Sequence, residues 1–339
     1  MKDLSYGNNL TIADVAEALG VSKTTVSRAI SGKGRIGEST RRKVLDFIEK
    51  YDYKPNVIAK SLAQSKTFNV CAVMPGNYSL TDMPFFRKSL SGLVETLGEN
   101  EYDVLVTMCQ DDDIANLQRV ITNRKVDGAV ILRTVTDDPA VSYLKEKGVP
   151  FVVLGSVPDN DVIQVDNNHT QACKELTGRL LDQGMRKIAL LGGDKRHIVT
   201  GKRLAGFVMA YEERHLNVPE NIIYENIVKD EELEKAIDKA LSENVECLMC
   251  MDDTICSFTL RKLERQRIEV PQQVSVAAFY NNSILEKHIP SVTSLEFDAR
   301  KLGSVCGEIL LQHIEGQSVE KITMLDYRIF EGESTKVTR

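Results

Sequence analysis

The sequence predicts an α/β protein with a small N-terminal head of three helices and a body of two doubly wound parallel sheets. In the first 52 residues, apolar residues recur at helical spacing. From about residue 69, continuous apolar runs alternate with amphipathic segments, which is typical of parallel strands covered by helices on both faces. The body spans about 270 residues. Because this length exceeds one comfortable core, we expect two sheets.

The head begins with a predicted pair of short helices around a tight turn, between residues 11 and 28. The first helix has apolar residues at i, i+3, i+4 and i+7, and Thr11 can form a capping box with Asp14. Gly20 ends this helix, and Ser22 is a suitable N-cap for the second. This spacing is typical of a helix-turn-helix, which places the start of its second helix in the major groove of DNA.

The second helix has no acidic residue in its first turn. Its positive N-terminus and Lys23 therefore remain available to an anion. A third amphipathic helix is expected to complete a core shared by the three helices, and its inward-facing residues are predicted to be Val44, Phe47, Ile48 and Tyr51.

The charge distribution also favours nucleic acid as a partner of the head. Residues 1–66 hold 12 Lys and Arg against 7 Asp and Glu, whereas the remainder holds 31 against 42, and the whole chain has a net charge of −6. A basic head is attracted to phosphates that repel an acidic body. We therefore expect the chain to meet DNA head first, with an affinity that falls as salt rises.

A longer pattern covers residues 11–62 without a gap. It reads Thr-Ile-x-Asp-Val-Ala-x-x-x-Gly-Val-Ser-x-x-Thr-Val-Ser-Arg at 11–28, Thr-Arg at 40–41, and Tyr-Lys-Pro-Asn-Val-Ile-Ala-Lys-Ser-Leu at 53–62. This pattern resembles the head of the LacI/GalR family of bacterial transcription regulators. The alternative is a generic helical hairpin inside another kind of domain.

The resemblance implies a homodimeric regulator that binds double-stranded operator DNA, most often as a repressor. Each head would read one half of a pseudo-palindromic site. The residues implied at bases in the major groove are Lys23, Thr24 and Arg28. Those implied among the phosphate contacts are Thr11, Ser22, Ser27 and Asn56.

Residues 56–67 are expected to link the head, residues 1–55, to the body, residues 68–339. Pro55 ends any preceding helix, and so short a segment should become helical only on a template. The resemblance implies a hinge helix that pairs with its copy in the minor groove, where Leu62 wedges between base steps. Ala59 stands where the family pattern requires it. A passive tether is the alternative.

The body is predicted to alternate strands and helices. Strands are predicted at 70–74, 102–108, 128–132, 150–154, 187–191, 222–228, 247–251 and 274–279, with a last strand-like segment at 322–330. Helices are predicted at 84–99, 113–124, 139–147, 168–184, 200–216, 230–244 and 253–268.

The family resemblance implies how these elements are arranged. It implies a body like the periplasmic sugar-binding proteins, in which a ligand cleft lies between two subdomains. The first subdomain would take residues 68–165 and 298–323. The second would take residues 166–297 and 324–339, so that the chain crosses between them three times.

The ligand of such a body is expected at the carboxyl ends of the strands. Arg203 begins Arg-Leu-Ala-Gly-Phe, which matches the family's Arg-x-x-Gly-Phe, whose arginine reaches the effector by paired hydrogen bonds. Asp253 lies at the family's Asn-Asp position. Phe85 could stack on a sugar face or pack the first helix of the body.

Tyr280 is a departure from the family pattern. Residues 278–281 read Ala-Phe-Tyr-Asn, where the family commonly has Gly-Tyr-Asp-Asn. A phenol can bond one ligand hydroxyl but cannot hold two with a charge, which argues against an ordinary monosaccharide. The stretches at 165–168 and 280–283 favour members that resemble maltose-type regulators. The predicted effector is a sugar, with a non-sugar effector as the alternative.

The sequence was also searched for catalytic, cofactor-binding and metal-binding motifs, and it predicts none of these functions. A Gly-x-Gly-x-x-Gly loop is absent, and the five histidines form no ligand-spaced cluster. Cys247 and Cys250 lie in a predicted buried strand, where residues three apart point to opposite faces, so we expect packing rather than a metal or redox pair.

The cysteine content and the apolar stretches of the sequence also indicate the cellular compartment and the class of protein. The seven scattered cysteines fit a reducing compartment, and the sequence has neither a signal-like N-terminal run nor a membrane-spanning stretch. We therefore expect a cytoplasmic protein without a membrane partner. The alternative from another class is a cytoplasmic sugar-binding or sugar-processing protein with an accessory DNA-binding head; a transport-type binding protein fits the body but not the basic head.

Overall fold

A computed structural model of the chain describes residues 10–31, 34–53, 61, 64–76 and 84–336. Contacts divide the chain into two units, Met1–Thr67 and Phe68–Arg339. The first unit contains the head and the second contains the body. No helix in the described part of the chain is both long and apolar enough to cross a membrane.

The head consists of α1 (Ile12–Leu19), α2 (Lys23–Ser31) and α3 (Glu38–Lys50). The predicted capping box is confirmed: the Thr11 amide donates to Asp14 Oδ2 at 2.8 Å, and the Asp14 amide donates to Thr11 Oγ1 at 3.4 Å. Gly20 ends α1 in the left-handed conformation, with φ of 65°. The Thr25 amide donates to Ser22 Oγ at 3.1 Å, so Ser22 caps α2 as predicted.

The three helices share one apolar core. Its buried members are Val15, Ala16, Val26, Ala29, Val44 and Tyr53. The prediction that Tyr51 faces inward was wrong, because Tyr51 is 39% exposed and its ring instead lies 4.5 Å from that of Phe47. The chain turns at Asp52, where φ is 45°, and the Tyr53 amide bonds the Ile48 carbonyl. This turn brings Tyr53 into the core in place of Tyr51.

The body contains twelve strands and nine helices among its described residues. The strands are β1 (Asn69–Pro75), β2 (Asp103–Cys109), β3 (Gly128–Ile131), β4 (Phe151–Leu154), β5 (Gln164–Asn167), β6 (Ile188–Leu191), β7 (Ile223–Tyr224), β8 (Cys247–Cys250), β9 (Ser275–Ala278), β10 (Thr293–Phe297), β11 (Ile322–Leu325) and β12 (Tyr327–Phe330). The helices are α4 (Pro84–Glu99), α5 (Ala115–Thr122), α6 (Pro139–Lys147), α7 (His169–Asp182), α8 (Ile198–Glu212), α9 (Asp230–Ser242), α10 (Asp253–Arg265), α11 (Ser283–Lys287) and α12 (Ala299–Ile314).

The strands form two six-stranded sheets, which confirms the predicted α/β class. One sheet has the order β11-β5-β4-β3-β1-β2, and all its neighbours are parallel. The other has the order β12-β10-β9-β8-β6-β7, and only β12 runs antiparallel to its neighbour. We call the first sheet with its covering helices the first lobe, and the second sheet with its helices the second lobe.

Alternating residues of β1 pack on opposite faces of the first sheet. Val70, Ala72 and Met74 join the core formed with α4 and α12, whereas Cys71 and Val73 join the core formed with α5 and α6. The second lobe has one continuous core around its sheet. All seven cysteines are buried and unpaired, so the predicted packing role of Cys247 and Cys250 is confirmed.

Four elements of the body were missing from the predicted set, namely β5, β10, α12 and the short helix α11. β5 reads Gln-Val-Asp-Asn, so only one of its four buried residues is apolar. Gly303 lowers the helix propensity of α12, but the helix packs so closely on α4 that a Cβ at Gly303 would lie 1.8 Å from the Ser89 carbonyl oxygen. The strand predicted at 222–228 is only two residues long, Ile223–Tyr224.

Candidate functional site

The start of α2 is an exposed face rich in hydroxyl and cationic side chains. The described candidates for DNA contact are all exposed, and they are Thr11, Ser22, Lys23, Thr24, Ser27 and Arg28. The first turn of α2 contains no acidic residue. A helix N-terminus of this kind suits contact with phosphates and base edges.

Two of these candidates also have structural roles. The Thr11 hydroxyl donates to Asp14 Oδ2 at 2.7 Å, and the Ser22 hydroxyl bonds that of Thr25 at 2.9 Å. Both caps fix where the helices begin. Asn56, Ala59 and Leu62, which the sequence assigns to the linker, lie outside the described residues.

Aromatic side chains from both lobes meet where the strands end. Phe85 lies in the first turn of α4, and Tyr280 follows β9 in the second lobe; their ring centroids are 5.5 Å apart at an angle of 84°. Tyr280 also stacks on Phe297 at 6.3 Å. Phe85 packs against the cores of both lobes. The packing role of Phe85 is therefore present, and its ring also forms part of the junction between the lobes.

Arg203 projects from α8 into the same region. It is 8% exposed, and its Nη1 donates to the Met251 carbonyl oxygen at 2.6 Å. Its Nε is buried and has no hydrogen-bond acceptor among the described residues. A buried donor left unsatisfied costs about 1–3 kcal/mol, so an acceptor on a ligand would be favourable here.

Asp253 lies at the start of α10, next to the helix cap Asp252. Asn282 Nδ2 donates to Asp253 Oδ2 at 2.7 Å. Burial raises the pKa of Asp253 to about 6, and the neighbouring charge of Asp252 adds to the shift. Arg203 opposes it, and the charge of Asp253 in turn helps burial raise the pKa of Tyr280. The structure thus brings Phe85, Arg203, Asp253 and Tyr280 into one neighbourhood.

The raised pKa of Asp253 predicts a pH effect on stability. The folded protein binds this proton more tightly than the unfolded chain, whose carboxyl has a pKa near 3.8. The contribution of Asp253 to the free energy of unfolding should therefore rise as pH falls from 7.5 through 6 towards 4, by an amount on the order of 1 kcal/mol. Asp253→Asn should lack this part of the rise. Urea unfolding of both proteins across this pH range measures the difference, and identical pH profiles would refute the prediction.

A buried carboxylate on β5 joins the lobes, and sequence reasoning missed this role. Asp166 accepts from Ser156 Oγ at 2.6 Å and from Lys202 Nζ at 3.1 Å, and His169 Nε2 lies 3.4 Å away. Burial alone would raise the pKa of Asp166, but the hydrogen bond and charge of His169 and the charge of Lys202 hold it well below its usual range. Lys202 belongs to α8 of the second lobe, whereas Asp166 belongs to the first.

A second set of charges crosses between the lobes nearby. Asp111 contacts Arg133 of its own lobe and lies 3.0 Å from Arg196 Nη2 of the second lobe, and Arg196 also pairs with Asp194 at 2.7 Å. The side chains of Asp111, Asp194 and His197 approach one another closely enough to hold a metal ion. Because two guanidinium groups already neutralise the carboxylates, we interpret the cluster as ion pairs.

The backbone also joins the lobes at this point. The Thr136 amide donates to the Arg196 carbonyl oxygen at 2.9 Å, and Val135 forms an isolated antiparallel bridge with His197. These residues lie on loops after β3 and β6, far apart in sequence, and no short motif contains them. Only the arrangement of the two sheets brings them together.

The head is a helix-turn-helix whose second helix begins with exposed cationic side chains. The body is a two-lobed α/β structure with polar and aromatic side chains between its lobes. Together they define a DNA-binding protein with a ligand-sensing body. Comparison with known families agrees on both parts. Residues 11–56 match the family described as bacterial regulatory proteins, lacI family, and residues 177–335 match a periplasmic binding protein-like domain.

The predicted resemblance to the LacI family of bacterial regulatory proteins is thus confirmed by the match of the head, and the match of the body agrees with it. It is 28% identical over 321 residues to the HTH-type transcriptional regulator MalR of Streptococcus pneumoniae serotype 4, which covers 92% of this chain and 95% of MalR. This relationship supports a role in transcription regulation.

Solved structures agree with this assignment. A complex of the transcriptional regulator CelR with cellobiose is 25% identical, with a TM-score of 0.73, over 96% of this chain and all of that one. The lac repressor dimer bound to operator has a TM-score of 0.80 at 21% identity, over 97% of this chain and all of that one. The second similarity concerns the fold alone.

Proposed function

We propose that the protein is a homodimeric transcriptional repressor whose affinity for operator DNA is controlled by a sugar bound between the two lobes. The observation that carries the sugar assignment is that an unsatisfied buried donor, Arg203 Nε–H, and a hydrogen-bond acceptor, Asp253, lie in the same neighbourhood. A sugar hydroxyl can accept from the first and donate to the second. The protein would act without catalysis, in the cytoplasm.

The aromatic junction favours a disaccharide over a monosaccharide. Tyr280 offers one hydroxyl where a carboxylate could hold two ligand hydroxyls, whereas the rings of Phe85 and Tyr280 offer apolar surface to a sugar face. CelR, which is similar over nearly the whole chain, was solved with cellobiose. We therefore propose a disaccharide as the effector, in a site that includes Phe85, Arg203, Asp253 and Tyr280.

We assign a different function to each successive segment of the chain. Residues 1–55 would read DNA, residues 56–67 would form the hinge, and residues 68–339 would sense the effector and dimerise. Within the body, the first lobe would take residues 68–167 and 298–325, and the second 168–297 and 326–339, because the boundaries predicted after 165 and 323 each fall inside a strand of the first sheet, β5 and β11. An effector would change the relative positions of the two lobes and, through the hinges, the affinity for DNA.

The head would dock with the start of α2 in the major groove. Lys23, Thr24 and Arg28 would reach base edges, and the phosphate contacts would include Thr11, Ser22, Ser27 and Asn56. Ala59 and Leu62 would contact the minor groove, with Leu62 between base steps. Selection of bound duplexes from a random library should return a pseudo-palindromic site, and recovery of no preferred sequence would refute the proposal.

Lys23→Ala should weaken binding to the selected duplex by roughly tenfold or more and reduce the dependence of log affinity on log salt by about one charge. The exposed side chain of Lys23 is the first of α2, where it meets the nucleic acid. Fluorescence anisotropy at several salt concentrations measures both effects. Lys125→Ala, an equal charge change at an exposed position in the body, is the control. Equal losses in the two variants would show that only net charge matters.

Thermal-shift screening tests the effector assignment. Maltose, cellobiose, glucose, sugar phosphates and purines should be compared with the full-length protein, because a ligand at one hundred times its Kd stabilises the fold by about 2.7 kcal/mol. We expect a disaccharide to give the largest rise in Tm. Stabilisation by purines alone would replace the sugar with a non-sugar effector.

A further inference from the structure

Two consecutive cations on α8 have different partners. Arg203 donates to Met251 within the second lobe, whereas Lys202 reaches Asp166 and Ser156 of the first lobe. A rigid helix therefore carries, on adjacent residues, one group at the proposed effector site and one that contacts the opposite lobe. A movement of α8 relative to its own sheet would change both contacts together.

The Lys202 contact is built around a buried charge. Asp166 is 5% exposed, and the Lys202 side chain is 29% exposed. A carboxylate that loses its cationic partner in such a place remains desolvated and uncompensated, which makes the loss costly. The remaining partners are poor substitutes for this charge, because Ser156 is uncharged and burial lowers the pKa of His169, which disfavours the charged form of its ring.

The pairing is long-range and crosses from one lobe to the other. Lys202 and Asp166 are 36 residues apart in the chain and lie on either side of the first crossing between the sheets. By contrast, Lys174 on α7 pairs at 2.9 Å with Glu213, just after α8. That second pair joins two helices of the same lobe and supplies a matched comparison.

We propose that Lys202 is a positioning residue that fixes the relative position of the two lobes. Through α8, it couples that position to the contact between Arg203 and the effector. The link to the effector rests on the proposed function, whereas the contact between the lobes does not. Lys202 acts through Asp166 and Ser156 and does not itself touch the effector. Breaking its contact should loosen the lobe junction while each lobe stays folded.

Hydrogen exchange at the Thr136 amide reports on the junction, because this amide donates across the lobes to Arg196. In the full-length protein without any sugar, Lys202→Met should accelerate exchange at this amide by roughly tenfold or more. Lys202→Arg should restore exchange to within about twofold of wild type, since it keeps a donor and a charge. Lys174→Met should exchange as wild type does. Amides of β1 and β8 should be equally protected in all variants, which verifies folding.

A second variant keeps the proposal testable if Lys202→Met does not fold. Asp166→Asn removes the buried charge itself and should open the junction to a similar extent. The double variant should exchange no faster than the faster single variant, because the two residues act as a unit. Wild-type exchange at Thr136 in both single variants, or equal acceleration by Lys174→Met, would overturn the proposal. The sugar assignment can fail in the thermal screen without changing these results.

Discussion

Gly206→Ala is expected to destabilise the body by about 1–3 kcal/mol, whereas Gly201→Ala in the same helix should stabilise it by about 0.5–1 kcal/mol. A Cβ at Gly206 would lie 2.3 Å from the Thr170 carbonyl oxygen and 2.8 Å from the Cys173 Cβ, so α7 would have to move. A Cβ at Gly201 meets nothing within 4 Å. At Gly201, alanine therefore adds only its better helix propensity.

Urea unfolding of both variants tests this contrast. The midpoint should fall for Gly206→Ala and rise for Gly201→Ala, with little change in the slope of either transition. If the urea midpoints of both variants moved in the same direction, the close approach of α7 and α8 would not limit the size of residue 206. The expected cost also explains why glycine stands in Arg-Leu-Ala-Gly-Phe: it lets α8 lie close enough to α7 to fix the position of Arg203.

Arg203→Met should weaken binding of the best disaccharide from the thermal screen by roughly a hundredfold while leaving the apo protein able to bind its selected duplex. Methionine keeps an unbranched apolar stem but removes the charge and the buried Nε donor that we assign to the ligand. Calorimetric titration of the sugar measures the loss, and anisotropy measures DNA binding.

Arg261→Met is the matched control for Arg203→Met. Arg261 is an exposed arginine of α10, and its guanidinium lies 5.9 Å from the Phe258 ring. This substitution should leave the sugar affinity unchanged. An unchanged affinity in Arg203→Met would remove Arg203 from the effector site, and equal losses in both variants would indicate a general effect of charge.

Much of the head could be read from the sequence because its signals are local. A cap such as Thr11 or Ser22 acts on an amide three residues away. The apolar spacing within a helix likewise depends only on the helical repeat. Among the described residues of the head, the prediction was wrong at Tyr51, where a turn at Asp52 exchanged one aromatic for another in the core. The helix-turn-helix and its exposed cationic start were therefore predictable.

The prediction of the body succeeded where the strands are apolar and failed where they are polar. β1 and β8 are continuous apolar runs, whereas β5 buries Gln164, Asp166 and Asn167. Those side chains are tolerated because each is hydrogen-bonded: Gln164 accepts from the Val157 amide, Asn167 donates to two carbonyl oxygens at the end of β11, and Asp166 accepts from Ser156. None of these partners is visible from periodicity alone.

The helix-turn-helix and the alternation of strands and helices were predictable because caps and periodicity are properties of neighbouring residues, and the four effector candidates were predictable from short motifs and the family resemblance. Three contacts could be seen only in the folded chain: Phe85 with Tyr280, Arg196 with Asp111, and Lys202 with Asp166. Those contacts depend on how two sheets are wound and where the chain crosses between them, and charges far apart in the chain become partners only when that topology removes the water between them.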